Sequence, residues 1–197
     1  MHALVFVSGK GTSVVQWIIL AGVVLLILML VGMYNGLVSA RNRAEEGWSG
    51  IDVQLKRRHD LIPNLVETVK GYASHEATVL ERVIQARNQA QGAQSPHDAQ
   101  EAENMLTGAL RQVFALGEAY PDLKASQNFQ ELQVQLADTE DKIQAARRIY
   151  NGNVRDYNTK LQSVPWNLVA KFGSFTAREF FEIENPAERE NVAVSFS

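Results

Sequence analysis

The chain has 197 residues and no cysteine, with 19 basic and 22 acidic residues and a formal net charge of −3. Its basic residues are dispersed among acidic ones, which is not the pattern of a dedicated nucleic-acid-binding protein, so we predict no nucleic-acid partner. The lack of cysteine excludes a disulfide framework and fits a reducing compartment without requiring one.

The first predicted element is a transmembrane helix at residues 14–34, after a short N-terminal segment at 1–13. Gln16 is the only strongly polar residue in this stretch. A helix of this length would be about 31 Å long, which matches the hydrocarbon core of a bilayer. The residues expected to anchor the chain are large and mostly aliphatic: Val14, Trp17, Ile18, Leu25, Leu26, Leu30 and Tyr34.

A cleaved signal peptide is the alternative interpretation, because Val38–Ala40 resembles a small-residue cleavage site. The apolar stretch is longer than the ~7–15 residues of a signal peptide, and Lys10 is the only basic side chain before it, which favours an uncleaved anchor. Arg41 and Arg43 follow the stretch directly. This excess of basic residues predicts a single-pass protein whose C-terminal domain is cytoplasmic.

Three small residues, Gly32, Gly36 and Ala40, recur at intervals of four on one face of this helix. Such spacing lets two membrane helices pack closely, and it predicts helix packing in the membrane. The alternative is that glycine is simply common in membrane helices.

The chain after the anchor predicts a helical bundle at residues 41–165. Apolar residues recur every three or four positions from Ala44 to Ala86, which predicts an amphipathic helix ending near Gln91–Gly92. Proline removes a backbone donor, so we expect a kink or break at residues 60–63, next to Pro63.

The loop Gly92–Pro96 precedes a second helix, which Ser95 or Asp98 would cap and Tyr120–Pro121 would end. A third long helix with nearly heptad apolar spacing starts near Ser126 and ends before Pro165.

The remaining chain, residues 166–197, is a tail rich in phenylalanine that docks either on the bundle or at the membrane surface. Its phenylalanines are Phe172, Phe175, Phe180, Phe181 and Phe196. The predicted fold class is therefore all-α, with an N-terminal transmembrane helix followed by an antiparallel bundle of three to four long helices.

Distinctive strings occur in order along the bundle: QLKRRHDLIPNLVETVKGY at 54–72, YPDLKA at 120–125, ARRIYN at 146–151 and DYN at 156–158. Together they closely resemble the LemA family of bacterial membrane proteins, from the anchor to about Phe181. The resemblance implies one N-terminal helix in the bacterial cell membrane, with the lipid bilayer as a partner, followed by a helical bundle.

The molecular function of that family is poorly defined. Its members include a protein of magnetosome membrane formation, and some are encoded beside membrane proteases, so the resemblance makes a membrane protease a candidate partner. The positions that match the family strings are expected to have structural roles: Arg57, Arg58, Pro63, Asn64, Glu67, Gly71, Tyr72, Tyr120, Pro121, Leu123, Arg147, Tyr150, Asn151, Tyr157 and Asn158.

Some of these polar residues form two stripes that, if they face each other, would make a polar network setting helix register. One stripe holds Arg57, Arg58 and Asn64, and the other holds Arg147, Asn151 and Asn158. The alternative is that both stripes are solvated faces, which is the usual fate of charged residues.

Catalytic and metal-binding patterns are missing from the sequence. His75-Glu76 is not followed by the second histidine of a zinc-protease helix, since position 79 is valine. Glu140 and Asp141 are interpreted as surface charges rather than an acid–base pair. We therefore predict no catalytic residues, no metal and no cofactor.

These observations favour a non-enzymatic, membrane-anchored helical scaffold or adaptor that forms homo-oligomers or binds membrane partners. The alternative is a membrane-organising or membrane-remodelling protein that acts directly on lipid through its aromatic tail and the basic cluster Lys56–Arg58. An enzyme is the least favoured of the three classes.

Overall fold

The computed structural model of the protein describes the backbone of residues 9–182 and the side chains of residues 13–182. No β-strand occurs within residues 9–182. The predicted all-α fold is confirmed. The helices of the described chain are α1 (Gly9–Tyr72), α2 (Ala77–Gly92), α3 (Pro96–Ala119), α4 (Pro121–Ala125), α5 (Gln127–Gln162) and α6 (Trp166–Phe172).

Helix α1 is continuous over 64 residues, so of the kink or break predicted at residues 60–63 the structure excludes the break. Pro63 offers no N–H to the carbonyl of His59, four residues earlier. Arg87 of α2 supplies the missing donor, because its Nε donates to the His59 carbonyl oxygen at 2.8 Å. Ile62 is fully buried beside this turn. A side chain from a neighbouring helix thus replaces the lost backbone hydrogen bond, and the helix continues.

Within the described residues, the chain first turns at residues 73–76, where the sequence predicted uninterrupted helix. The N–H of Glu76 donates to the carbonyl of Ala73 at 3.1 Å and closes the turn. Helix α2 then ends at Gly92, as predicted. Ser95 caps α3, since its hydroxyl oxygen accepts from the Asp98 N–H at 3.1 Å.

The chain divides into two compact units. Within the described residues, the bundle unit comprises Arg43–Arg155 and residues 178–182. The anchor unit comprises residues 9–42 and Asp156–Ala177.

In the bundle unit, the C-terminal part of α1, then α2, α3 and the N-terminal part of α5 pack as antiparallel neighbours. Short turns reverse the chain between successive helices, and hydrogen bonds join Glu76 to Tyr120 and Arg82 to Gln112 across α2 and α3. Gly117 lets the Phe129 ring pack against the backbone of α3, because a Cβ there would lie 2.9 Å from that ring. The largest apolar cluster includes Ile62, Leu65, Val69, Leu80, Val83, Leu106, Val113, Leu123, Phe129 and Leu136.

In the anchor unit, α1 contains the apolar stretch and α6 packs against it. An 18-residue window of α1 has a mean hydropathy of 2.9 and no buried residue, so this helix is long and apolar enough to cross a membrane. Trp166, the first residue of α6, covers Gly36, where a Cβ would lie 2.5 Å from the Trp166 ring. Tyr34 meets Phe175 edge-on at a ring-centroid distance of 5.5 Å.

The phenylalanines of the tail have different surroundings. Phe181 is fully buried in the bundle unit, where its ring lies 5.2 Å from that of Trp48. Phe175 packs within the anchor unit, and Phe172 is 93% exposed. Phe196 and most of the N-terminal segment 1–13 lie outside the described residues. The tail residue Phe181 thus docks on the bundle, whereas Phe172 contacts little of the chain.

Candidate functional site

A cluster of buried charged side chains lies in the bundle unit at the level where α1, α3 and α5 meet. Arg58, His59 and Glu103 are each exposed by 4% or less. Arg58 donates through Nη1 to Glu103 Oε2 at 3.1 Å and through Nη2 to Thr107 Oγ1 at 2.6 Å. His59 Nε2 lies 2.6 Å from Glu103 Oε1. Both oxygens of the Glu103 carboxylate therefore have partners.

This pairing decides what the cluster can do. A buried carboxylate is stable only when charged or polar donors surround it, and Arg58 and His59 approach Glu103 on its two oxygens. A carboxylate with both oxygens engaged and 0% exposure has no free face for a substrate. The cluster therefore links α1 to α3 through paired buried charges.

An open groove of about 400 Å³ adjoins this cluster between α3 and α5. Leu110, Phe114 and Leu136 form its apolar walls, and Arg58 lies at one end. Glu140 lines the same end, with its Oε2 atom 3.6 Å from Arg58 Nη1. Glu140, interpreted from the sequence as a surface charge, has a side chain that is 32% exposed and faces the arginine.

Arg58 of the first polar stripe and Asn151 of the second have different partners. Arg58 contacts α3, whereas Asn151 holds the tail: its Nδ2 donates to the Phe181 carbonyl, and its Oδ1 accepts from the Phe181 N–H, both at 3.0 Å. Tyr150 adds a hydrogen bond from its hydroxyl to the Glu179 carbonyl at 2.8 Å. Burial raises the pKa of this tyrosine. Neighbouring family-motif residues on α5 thus bind the extended tail segment at residues 179–181.

Other family-motif residues lie apart from the charged cluster. Tyr120 donates to Glu76 Oε1 at 3.1 Å, which raises the pKa of the tyrosine. Tyr157, in the anchor unit, donates to the Thr176 carbonyl at 2.9 Å. Leu123 is fully buried in the core. Arg147 and Asn158 are half-buried, whereas the rest are exposed: Arg57, Pro63, Asn64, Glu67, Gly71, Tyr72 and Pro121.

The structure places the predicted anchor residues on the outside of α1. Val14, Trp17, Ile18, Leu25, Leu26, Leu30 and Tyr34 are all between 43% and 70% exposed. Of the three small residues, Gly36 contacts Trp166 and Ala40 is 1% exposed, so both pack within the anchor unit. Gly32 has open space around it. Among these three positions, it is the one where a partner helix can approach closely.

Sequence reasoning missed Glu103, Thr107 and Arg87. Glu103 carries the clearest signal, because it stands among Ala99, Ala102, Leu106 and Leu110 on the apolar face of α3. A charged residue on a buried face needs a buried partner of opposite charge. That reasoning points to a cationic partner without saying which one. Within the described residues, no group of three or more His, Cys, Asp or Glu side chains is placed to hold a metal ion.

Comparison with known proteins gives consistent results. The family model described as "LemA family" matches residues 47–196. Protein LemA of Metamycoplasma hominis is 29% identical over 145 residues, covering 72% of this chain and 65% of the relative. Magnetosome protein MamQ of Magnetospirillum gryphiswaldense is 24% identical over 187 residues, covering 82% of this chain and 68% of the relative.

A second magnetosome protein, MamQ 2 of Paramagnetospirillum magneticum, is 24% identical over 213 residues. That alignment covers 95% of this chain and 74% of the relative. The chain spans about two thirds to three quarters of the length of these relatives. The family match includes the buried cluster, the α3–α5 groove and the tail segment at residues 179–181. The chain therefore belongs to the LemA family.

Proposed function

We propose that the protein is a non-enzymatic, membrane-anchored helical scaffold whose bundle unit binds copies of the same chain. The observation that carries the proposal is the apolar window of α1, none of which is buried in the chain itself. Apolar surface of this extent needs lipid or protein around it. Lipid covers the exposed apolar side chains of residues 14–34. The bundle unit is then left to make protein contacts.

The groove between α3 and α5 supports the binding role of the bundle. Its apolar walls lie along two antiparallel helices, with Leu110 and Phe114 on α3 and Leu136 on α5. Such a surface accepts the apolar stripe of an amphipathic helix. Helices of a second copy supply exposed apolar residues of this kind, since Ile84 and Met105 are 41% and 52% exposed.

The chemistry of the bundle supports a non-enzymatic role. Its most buried carboxylate, Glu103, has both oxygens engaged by Arg58 and His59. The names of the matched relatives are not enzyme names. On the positive-inside pattern of Arg41 and Arg43, we place the bundle in the cytoplasm of a bacterial cell. A membrane protease remains our candidate for a separate protein partner.

The test is the mass of the full-length protein in detergent, measured by light scattering with the detergent subtracted. The expected mass is a multiple of the 21.9 kDa chain. Ala137→Trp fills the groove and is expected to shift the mass toward that of one chain, because Ala137 is an exposed residue of the groove lining.

Ala115→Trp is the matched control, since Ala115 is an exposed alanine outside the groove lining. It is expected to leave the mass unchanged. A wild-type protein with the mass of a single chain across the working concentrations would contradict self-assembly. Cross-linking of the full-length protein in its native membrane would then identify a separate partner.

Direct action on lipid is the second candidate function. In the basic cluster Lys56–Arg58, Arg58 is buried against Glu103 and is unavailable to lipid, whereas Lys56 and Arg57 are exposed. A different part of the chain, helix α6, favours contact with lipid.

A further inference from the structure

Helix α6 and the residues before it carry an exposed apolar stripe in the anchor unit. Val164 lies in the turn before α6, and Leu168 and Phe172, spaced by four, lie on one face of that helix. They are 77%, 55% and 93% exposed. The other side of the segment packs inward, since Ala170 is 5% exposed and Trp166 covers Gly36. The segment is thus held by one face and leaves a second apolar face without a partner in the anchor unit.

The position of α6 along α1 coincides with the end of the apolar stretch. Trp166 at its start covers Gly36. Gly173, just after its end, lies beside the Tyr34 ring, because a Cβ at position 173 would lie 3.4 Å from that ring. Positions 34 and 36 are separated by about 3 Å along α1, whereas a seven-residue helix is about 10 Å long. This geometry favours a helix that crosses α1 steeply at the boundary of the predicted span.

The charges of the anchor unit fit the surface of an anionic membrane. Arg41 lies 5.5 Å from the Phe175 ring, and Lys160 Nζ lies 5.3 Å from the Trp166 ring. Lys171 is an exposed residue of α6 itself. The segments 35–42 and 156–177 contain these three basic residues and one acidic residue, Asp156. Basic residues close to an anionic surface are each worth about 1 kcal/mol of attraction.

We propose that α6 is an interfacial helix that lies in the headgroup region of the leaflet from which the anchor emerges. Val164, Leu168 and Phe172 enter the acyl boundary, and Lys171 faces the anionic headgroups. Helix α6 packs on α1 at Gly36, two residues after the predicted span 14–34 ends, which is the reason to assign its exposed apolar residues to lipid. Three side chains are too few for a protein interface, which needs about 800 Å² on each partner. The proposal rests on the membrane-anchored part of the proposed function.

The test uses the full chain reconstituted in vesicles of phosphatidylcholine and phosphatidylglycerol. Because the chain has no cysteine, one introduced cysteine gives a unique nitroxide label. Phe172→Cys is the probe, Val134→Cys is the control for an exposed apolar position in the bundle, and Leu26→Cys is the control in the anchor. Collision with oxygen, which dissolves in lipid, is compared with collision with a water-soluble nickel chelate.

The ratio of oxygen to nickel collisions at position 172 is expected to be several-fold higher than at position 134 and below that at position 26. A ratio at 172 equal to that at 134 would overturn the interfacial assignment. Shielding from both reagents, with dipolar broadening between labels, would also overturn it and assign the stripe to a second copy. A low ratio at position 26 would show that the anchor does not lie in the membrane. That result would contradict the proposed function, whereas a low ratio at position 172 alone would contradict only the assignment of α6.

Discussion

In the anchor unit the apolar side chains of residues 14–31 are largely exposed, whereas in the bundle unit the charged side chains of Arg58 and Glu103 are buried. The exposed apolar side chains of the anchor unit would be unstable in water, and the buried charges of the bundle unit would be unstable without their partners. Exposed apolar surface is favourable only next to lipid, and buried charge is tolerated only next to an opposite charge. The stability of the anchor unit therefore depends on the medium around it, and that of the bundle unit depends on pairing within the chain.

The largest expected effect tests the buried charge. Glu103→Ala leaves Arg58 buried without its carboxylate and is expected to lower the free energy of unfolding of the bundle by about 3–5 kcal/mol. Chemical denaturation of the full-length protein in detergent, followed by circular dichroism, measures this change. Glu101→Ala is the control, because the Glu101 side chain is 72% exposed. It is expected to change stability by less than about 0.5 kcal/mol. Equal losses for the two variants would contradict the importance of pairing.

An intermediate effect tests how the bundle tolerates Pro63. Arg87→Met removes the donor to the His59 carbonyl and is expected to cost about 1–3 kcal/mol. In the Pro63→Ala background the same change is expected to cost less, because the backbone N–H at position 63 can bond that carbonyl. A double-mutant cycle of unfolding free energies measures the difference. Strictly additive losses would show that Arg87 does not compensate for the proline.

The smallest effect concerns the anchor unit. Gly36→Ala would place a methyl group against the Trp166 ring and is expected to cost about 1 kcal/mol of packing, at the low end for an overpacked site. Fluorine NMR of the full-length protein with fluorinated tryptophan resolves the three tryptophans. The Trp166 signal is expected to shift, while those of Trp17 and Trp48 stay in place.

Gly32→Ala is the matched control for this change, because a Cβ at Gly32 meets nothing within 4 Å in the chain. It is expected to leave the Trp166 signal unchanged. A shift of that signal in both variants would mean that the glycines act through the helix as a whole rather than through a local contact.

Several parts of the fold follow from local patterns alone. Apolar spacing predicts α3, α5 and the end of α2, and Tyr120–Pro121 and Pro165 stop helices near the observed ends. Local reasoning does not show that α1 continues without a break past Pro63, where Arg87 of α2 donates to the carbonyl oxygen of His59. It also fails for Asn151, whose partner Phe181 lies 30 residues further along the chain. Local patterns contain no information about which distant group completes a hydrogen bond.

The sequence by itself determined that this chain is helical, that residues 14–34 are apolar enough to span a bilayer, and that it resembles the LemA family. These properties depend on composition and on spacing along one helix. Only the tertiary structure decided that Arg58 pairs with Glu103, that Phe181 docks beside Trp48 and that Gly36 receives Trp166. Those contacts join residues 45 to 133 positions apart, and their energies depend on burial and distance, which no local pattern specifies.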